Sequence, residues 1–94
     1  MAVVSVPFTL PGLLATCADG RKVVNVEAET VAGAIDAILI AYPLLKVHLY
    51  EEGGRLRPHV MFLYNDQSVK WLPSLNIALR EGDRMTVLQL VSGG

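Results

Sequence analysis

The chain has 94 residues, 52% of them hydrophobic and 18% charged, which is one domain's worth of sequence and excludes a disordered or polyelectrolyte chain. Eight Lys and Arg against nine Asp and Glu leave a formal charge of −1, which argues against nucleic acid as a partner, because phosphate binding needs a basic excess or a basic stripe. A single cysteine, Cys17, excludes an internal disulfide and a multi-thiolate metal site, and points to a reducing compartment.

Met1-Ala2 leads straight into alternating residues without a positive n-region or a cleavage-site pattern. The longest nearly apolar run, Val31 to Leu45, is broken by Asp36 and Pro43 and is too short to span a bilayer. A soluble, cytoplasmic protein with no membrane partner is expected.

In chain order, Val4, Val6, Phe8 and Leu10 recur at period two within residues 2–10 and predict a half-buried strand, with Pro7 where no ladder bond is needed. Pro11-Gly12 and Asp19-Gly20 mark a loop of about ten residues. Lys22 to Glu27 then predicts a second strand, hairpin-paired with the first, with Val24 and Val26 on one face and Asn25 and Glu27 on the other. Thr30 is a helix N-cap candidate with Glu27 and Glu29 near the positive end of the dipole.

Val31, Ile35, Ile38, Leu39 and Tyr42 at helical spacing predict a helix over 31–42, stopped by Pro43. Gly33 either weakens it or lets it approach the sheet closely. Residues 44–57 read as a short irregular or helical connection with a loop tip at Gly53-Gly54. Val60, Phe62 and Tyr64 alternate with Met61 and Leu63 in a third strand that stops at Asn65-Asp66. A short fourth strand is expected at Ser68–Trp71. After the turn Glu81-Gly82-Asp83, Met85, Val87 and Gln89 alternate with Thr86, Leu88 and Leu90 in the last strand. The order ββαβ(β)β defines an α+β domain over residues 1–90 with one main helix and a sheet of four or five strands. Residues 91–94 leave it as a flexible tail.

Catalytic chemistry finds little to stand on. His48 and His59 are the only histidines and have no ligand spacing; Cys17 has no cationic activator nearby in sequence and reads as an inert, buried or semi-buried thiol. Phosphate-cradling glycine fingerprints are missing, and Glu51-Glu52 reads as a solvated loop. No catalytic residue and no metal ligand is assigned. The tail is different: Val91-Ser92-Gly93-Gly94 ends in a free carboxylate on a stalk without side chains, and glycines can enter a narrow channel beside another enzyme's nucleotide. Frayed terminal glycines are the plain alternative.

With that tail, the stretch Glu81-Gly82-Asp83-Arg84-Met85-Thr86-Val87-Leu88 and the stretch Val60-Met61-Phe62-Leu63-Tyr64-Asn65-Asp66 resemble the MoaD/ThiS ubiquitin-like sulfur carriers, over nearly the whole chain. The likeness is to the longer members, the molybdopterin synthase small subunit and the CysO-like carriers. It implies a β-grasp fold, with the first and last strands parallel at the sheet centre and a helix across one face. It also implies a function, sulfur carriage in molybdopterin- or cysteine-type biosynthesis. A ubiquitin-activating-type adenylyltransferase would use ATP to adenylate Gly94, a sulfur donor would make the thiocarboxylate, and an acceptor enzyme (a synthase large subunit or a sulfhydrylase-like enzyme) would take the tail in. Gly93 and Gly94 carry over as the functional residues; the chain binds no cofactor itself. Many relatives have a Pro and an Ala where this chain has Gln89-Leu90-Val91-Ser92, and Trp71 and Pro73 replace the commoner Phe and Gly, so the pathway stays open. Two rival readings fit the same residues: a protein modifier joined to lysines through Gly94, and a plain interaction module.

The strand faces add a second signal. If Val60, Phe62, Met85 and Val87 face the helix, Met61, Leu63, Thr86, Leu88 and Leu90 face away. One helix covers one face, so four large apolar residues should be exposed, with Leu63 and Leu88 on facing positions. Such a patch marks a partner surface, continued by Val91 and Ser92, unless residues 44–57 or 71–80 fold over it.

Overall fold

A computed structural model describes residues 2–90. β1 (Val4–Thr9) pairs antiparallel with β2 (Val23–Ala28), Val6 opposite Val26 and Phe8 opposite Val24. The connection between them is more ordered than a plain loop: a one-turn helix α1 (Gly12–Ala15) and a 3-10 turn (Thr16–Ala18) bury Leu14 and Ala18. Helix α2 (Val31–Ala41) follows, then α3 (Pro43–Leu49), β3 (Val60–Tyr64), β4 (Gln67–Ser68) and β5 (Met85–Gln89). The sheet runs β2-β1-β5-β3-β4, with β1 and β5 parallel (Phe8 opposite Met85) and β3 and β5 antiparallel. This is the β-grasp arrangement, first and last strands side by side at the centre.

The core forms between one sheet face and the helices. Val6, Phe8, Val24 and Val26 meet Val60, Phe62, Met85 and Val87 on that face, and Val31, Ala34, Ile35 and Ile38 close it from α2. The rings of Phe8 and Phe62 meet edge to face at 6.0 Å, tying the two halves of the sheet. Thr30 caps α2 as its sequence position predicts: its Oγ1 accepts from the Gly33 N–H at 3.0 Å. Gly33 serves close approach, since a Cβ there would lie 3.3 Å from Thr30 Oγ1 and 3.5 Å from the Ala28 Cβ.

Several expectations are corrected. The second strand is displaced by one residue, ending at Ala28, whose side chain is still buried. The main helix is α2, and of the two readings of the connection after it the helical one holds: Pro43 ends the first helix and begins α3 at 110° to it, with Leu45 and Leu49 fully buried. The fourth strand is Gln67–Ser68, not Ser68–Trp71: the Ser68 Oγ accepts from the Lys70 N–H and turns Val69–Trp71 into a 3-10 turn. Among the described residues no single helix is long and apolar enough to cross a membrane.

A surface network fixes the approach to β5. Asn65 adopts a left-handed backbone (φ 55°) at the β3–β4 turn, and its Oδ1 accepts from the Arg84 N–H at 3.0 Å. Asp83 accepts from the Tyr64 hydroxyl at 2.8 Å, the Asn65 amide at 3.2 Å and the Arg80 N–H at 2.9 Å. Arg84 pairs with Asp66. Gly82 (φ 92°) supplies the turn that lets Asp83 fold back.

Candidate functional site

β5 leaves the centre of the sheet and carries the chain outward. The Leu90 N–H donates to the His59 carbonyl at 2.6 Å, so the chain is still held to the residue before β3 at the last described position. Val91, Ser92, Gly93 and Gly94, named above as tail and reactive terminus, lie outside the described residues; they must start from Leu90. Around that root lies an open groove of about 530 Å³ lined by Pro11, Gly12, Leu13, Pro58, His59, Gln89 and Leu90. Leu13 is 82% exposed on its wall.

Beside the groove is the sheet face turned away from the helices. Its β3–β5 half carries Met61, Leu63, Thr86 and Leu88, with Leu90 beyond the strand; its β1–β2 half carries Ser5, Pro7, Thr9, Asn25 and Glu27, with Val23 at the end. The face assignment from alternation holds, since Val60, Phe62, Met85 and Val87 are all buried. Two details differ. Met61 and Leu63 are half-buried, whereas Leu88 and Leu90 are exposed. Leu63 opposes Thr86, and Leu88 opposes Met61, so the two leucines are diagonal rather than facing.

The two segments that could have covered this face go elsewhere. α3 puts Leu45 and Leu49 into the core. Residues 75–79 run along the start of α2, with Ala32 N–H donating to Leu75 C=O, Val31 N–H to Ile77 C=O and Leu79 N–H to Glu29 C=O, and Leu79 is buried in the core.

The Pro11–Leu13 wall is not anticipated from sequence. Its one signal was the pair Leu13-Leu14, of which a one-turn helix can bury only one. His59 reaches the tail root through its backbone carbonyl, a contact no side-chain motif announces. His48 is exposed on α3 and does not line the groove, and Cys17 is a partly buried residue packed on the core. Among the described residues no cluster of three or more His, Cys, Asp or Glu could hold a metal ion.

Burial works against ionisation of Asp83, but the Arg80 N–H, Tyr64 and Asn65 hydrogen bonds and the Arg80 charge outweigh it and hold the carboxyl below its ordinary value. The same contact with Asp83, followed by burial, pushes the Tyr64 hydroxyl up. These shifts belong to the clamp before β5.

A β-grasp domain whose central strand ends beside an apolar sheet face and an open groove has the architecture of the ubiquitin-like proteins. The ThiS family model matches residues 8–94, and the chain belongs to that family. It is 27% identical over 92 residues to the sulfur carrier protein CysO of Mycobacterium tuberculosis, covering 96% of this chain and 99% of that one. It is 34% identical over 78 residues to small archaeal modifier protein 1 of Haloferax volcanii, covering 80% and 85%. A crystal structure of that modifier superposes with a TM-score of 0.77 at 31% identity over 97% of this chain and 100% of the other. The Amycolatopsis orientalis BexX/CysO complex gives a chain with a TM-score of 0.77 at 29% identity, covering 95% and 99%.

Proposed function

We propose that this chain is a sulfur carrier that works through the Gly94 carboxylate and contributes no catalytic side chain of its own. A partner adenylyltransferase joins a carboxylate oxygen of Gly94 to the α-phosphorus of ATP and releases pyrophosphate. Sulfide attacks the acyl carbon and displaces AMP, leaving a thiocarboxylate. That sulfur attacks the electrophile held by an acceptor enzyme, and hydrolysis at the Gly94 carbon restores the carboxylate. ATP belongs to the partner.

The observation that carries the reading is the path of β5. It brings Leu90 out of the sheet between the exposed Leu88–Leu90 face and the Leu13 groove, so an enzyme docked there meets the tail at its root. Met61, Leu63, Leu88 and Leu90 form the docking face, with Val91 and Ser92 leading from it to Gly93-Gly94. The CysO chain solved with BexX supports a carrier of this shape binding a second protein.

Incubation with activating enzyme, ATP and sulfide should raise the intact mass by the difference between sulfur and oxygen. A chain lacking Gly94, or one with a C-terminal tag, should lose ATP–pyrophosphate exchange and keep its fold; exchange retained without Gly94 overturns the reading. The likeness to small archaeal modifier protein 1 favours a second outcome, an isopeptide bond from Gly94 to lysines. It would appear as Gly94-dependent ladders of higher mass in lysate.

A further inference from the structure

The sheet has two edges, and they differ. β4 is two residues long and runs at once into a 3-10 turn, so it offers little to a further strand. β2 is six residues long and stands outermost beside β1. The Leu10 N–H donates to the Lys22 carbonyl at 2.7 Å, which sets the phase of the β1–β2 ladder. Lys22, Val24, Val26 and Ala28 turn their backbone groups toward β1, so Val23, Asn25 and Glu27 turn their N–H and C=O groups outward. Edges of this length are commonly guarded by a bulge, a proline or a central lysine; β2 carries none of these, and its one charged residue, Glu27, lies next to its end. On the helix side the edge borders a groove of about 440 Å³ whose helical wall is Ala37, Ala41 and Tyr42, low enough for a strand to approach.

Charge identifies the occupant. Arg21 and Lys22 stand at the start of β2, Glu27 and Glu29 at its end, and all four are exposed. An antiparallel copy of the same strand sets the basic start of each against the acidic end of the other. We propose that the β2 edge pairs with β2 of a second copy of this chain, antiparallel and centred on Asn25. That register uses all three outward residues: Asn25 faces Asn25, Val23 faces Glu27, and Arg21 stands across from Glu29, each twice by symmetry except the first. The net charge of −1 sets little repulsion against it. β5 and the tail root are two strands away, so the pairing leaves both tail roots uncovered. The proposal is independent of what Gly94 carries.

Sedimentation velocity from micromolar to millimolar chain tests it. The wild type should show a reversible dimer that weakens as salt rises. Asn25→Lys puts two lysines face to face on the axis and should give a monomer with an unchanged melting curve. Arg21→Glu should weaken the dimer several-fold, and Arg21→Glu with Glu29→Arg should restore it. For register, Cys17→Ser/Asn25→Cys should oxidise to a covalent dimer, because hydrogen-bonded opposite residues lie about 5.5 Å apart at Cα, within disulfide reach. Cys17→Ser/Val23→Cys should not. A chain monomeric throughout, a dimer that Asn25→Lys and Arg21→Glu leave intact, or cross-linking at Val23 in place of Asn25 overturns the proposal; a monomer would leave the edge to an extended segment of another protein.

Discussion

The two faces of the β3–β5 pair are built from similar apolar residues and meet different fates. On one, Val60, Phe62, Met85 and Val87 are at most 6% exposed and share a single core with buried residues of α2 and β1. On the other, Leu88 is 37% and Leu90 50% exposed. Composition cannot separate them; position relative to the helices does. Apolar area buried within the chain contributes to folding, whereas the same area left open on the outer face contributes only when something else covers it. The core face therefore holds the domain together and the outer face is free to hold a partner.

The sharpest way to break this comparison is to place the same charge on each face. Val87→Asp buries an unpaired carboxylate at a position 2% exposed, and should unfold a domain whose whole stability is only several kcal/mol. Circular dichroism should show lost structure at room temperature. Leu88→Asp should leave the melting temperature nearly unchanged yet weaken binding to an activating or acceptor enzyme by about ten- to a hundred-fold, the worth of roughly 1.5–3 kcal/mol for one buried leucine. Calorimetry on the folded variant reads it. If Leu88→Asp unfolds the chain and Val87→Asp does not, the faces are exchanged.

The face pattern was legible in sequence because period-two alternation survives in every long strand, and Thr30 was legible because a cap needs one hydroxyl at one position. α3 was not. Its apolar Leu45 and Leu49 lie in a stretch too short to display helical periodicity, and Pro43 signals a stop as readily as a start. The β4 boundary was missed because Ser68 offers its hydroxyl to the Lys70 N–H, a local bond that competes with strand pairing and leaves no pattern. The register of Leu63 and Leu88 depends on where the long connection from Asn65 to Arg84 sets β5 down, a tertiary fact. The Leu13 wall is of the same kind: only the fold brings residues 11–13 beside residues 89–90.

A smaller effect probes how the helix is seated on the core face. Thr30→Ala removes the Gly33 cap bond and should cost about 1 kcal/mol, lowering the denaturant midpoint without altering partner binding. Gly33→Ala sharpens the point. The added Cβ meets Thr30 Oγ1 at 3.3 Å, so the variant should gain in Thr30→Ala, where that oxygen is gone, relative to wild type. Additive effects of the two substitutions would mean that α2 is not held close to the sheet by this contact.

The smallest effect expected concerns the clamp that aims β5. Asp83 has its carboxyl held below the ordinary value of 3.8, so the folded domain binds fewer protons there than the unfolded chain does. Its contribution to stability is therefore fully present above the ordinary value and fades as pH falls through the lowered one. Tyr64, pushed up by the same bond, loses its share at the other end, as pH rises past its ordinary value of 10.0. Asp83→Asn keeps the size of the side chain and removes the charge that Tyr64, Asn65 and the Arg80 N–H all donate to. At neutral pH it should cost roughly 0.5–1 kcal/mol, a value kept low because the site lies near solvent. The gap in melting temperature between wild type and variant should then narrow as pH is lowered past the ordinary carboxyl value, and Leu88-dependent partner binding should fall only slightly, because β5 remains paired to both neighbours. A gap that stays constant down to the acid limit of folding would show that the clamp works through its shape rather than its charge.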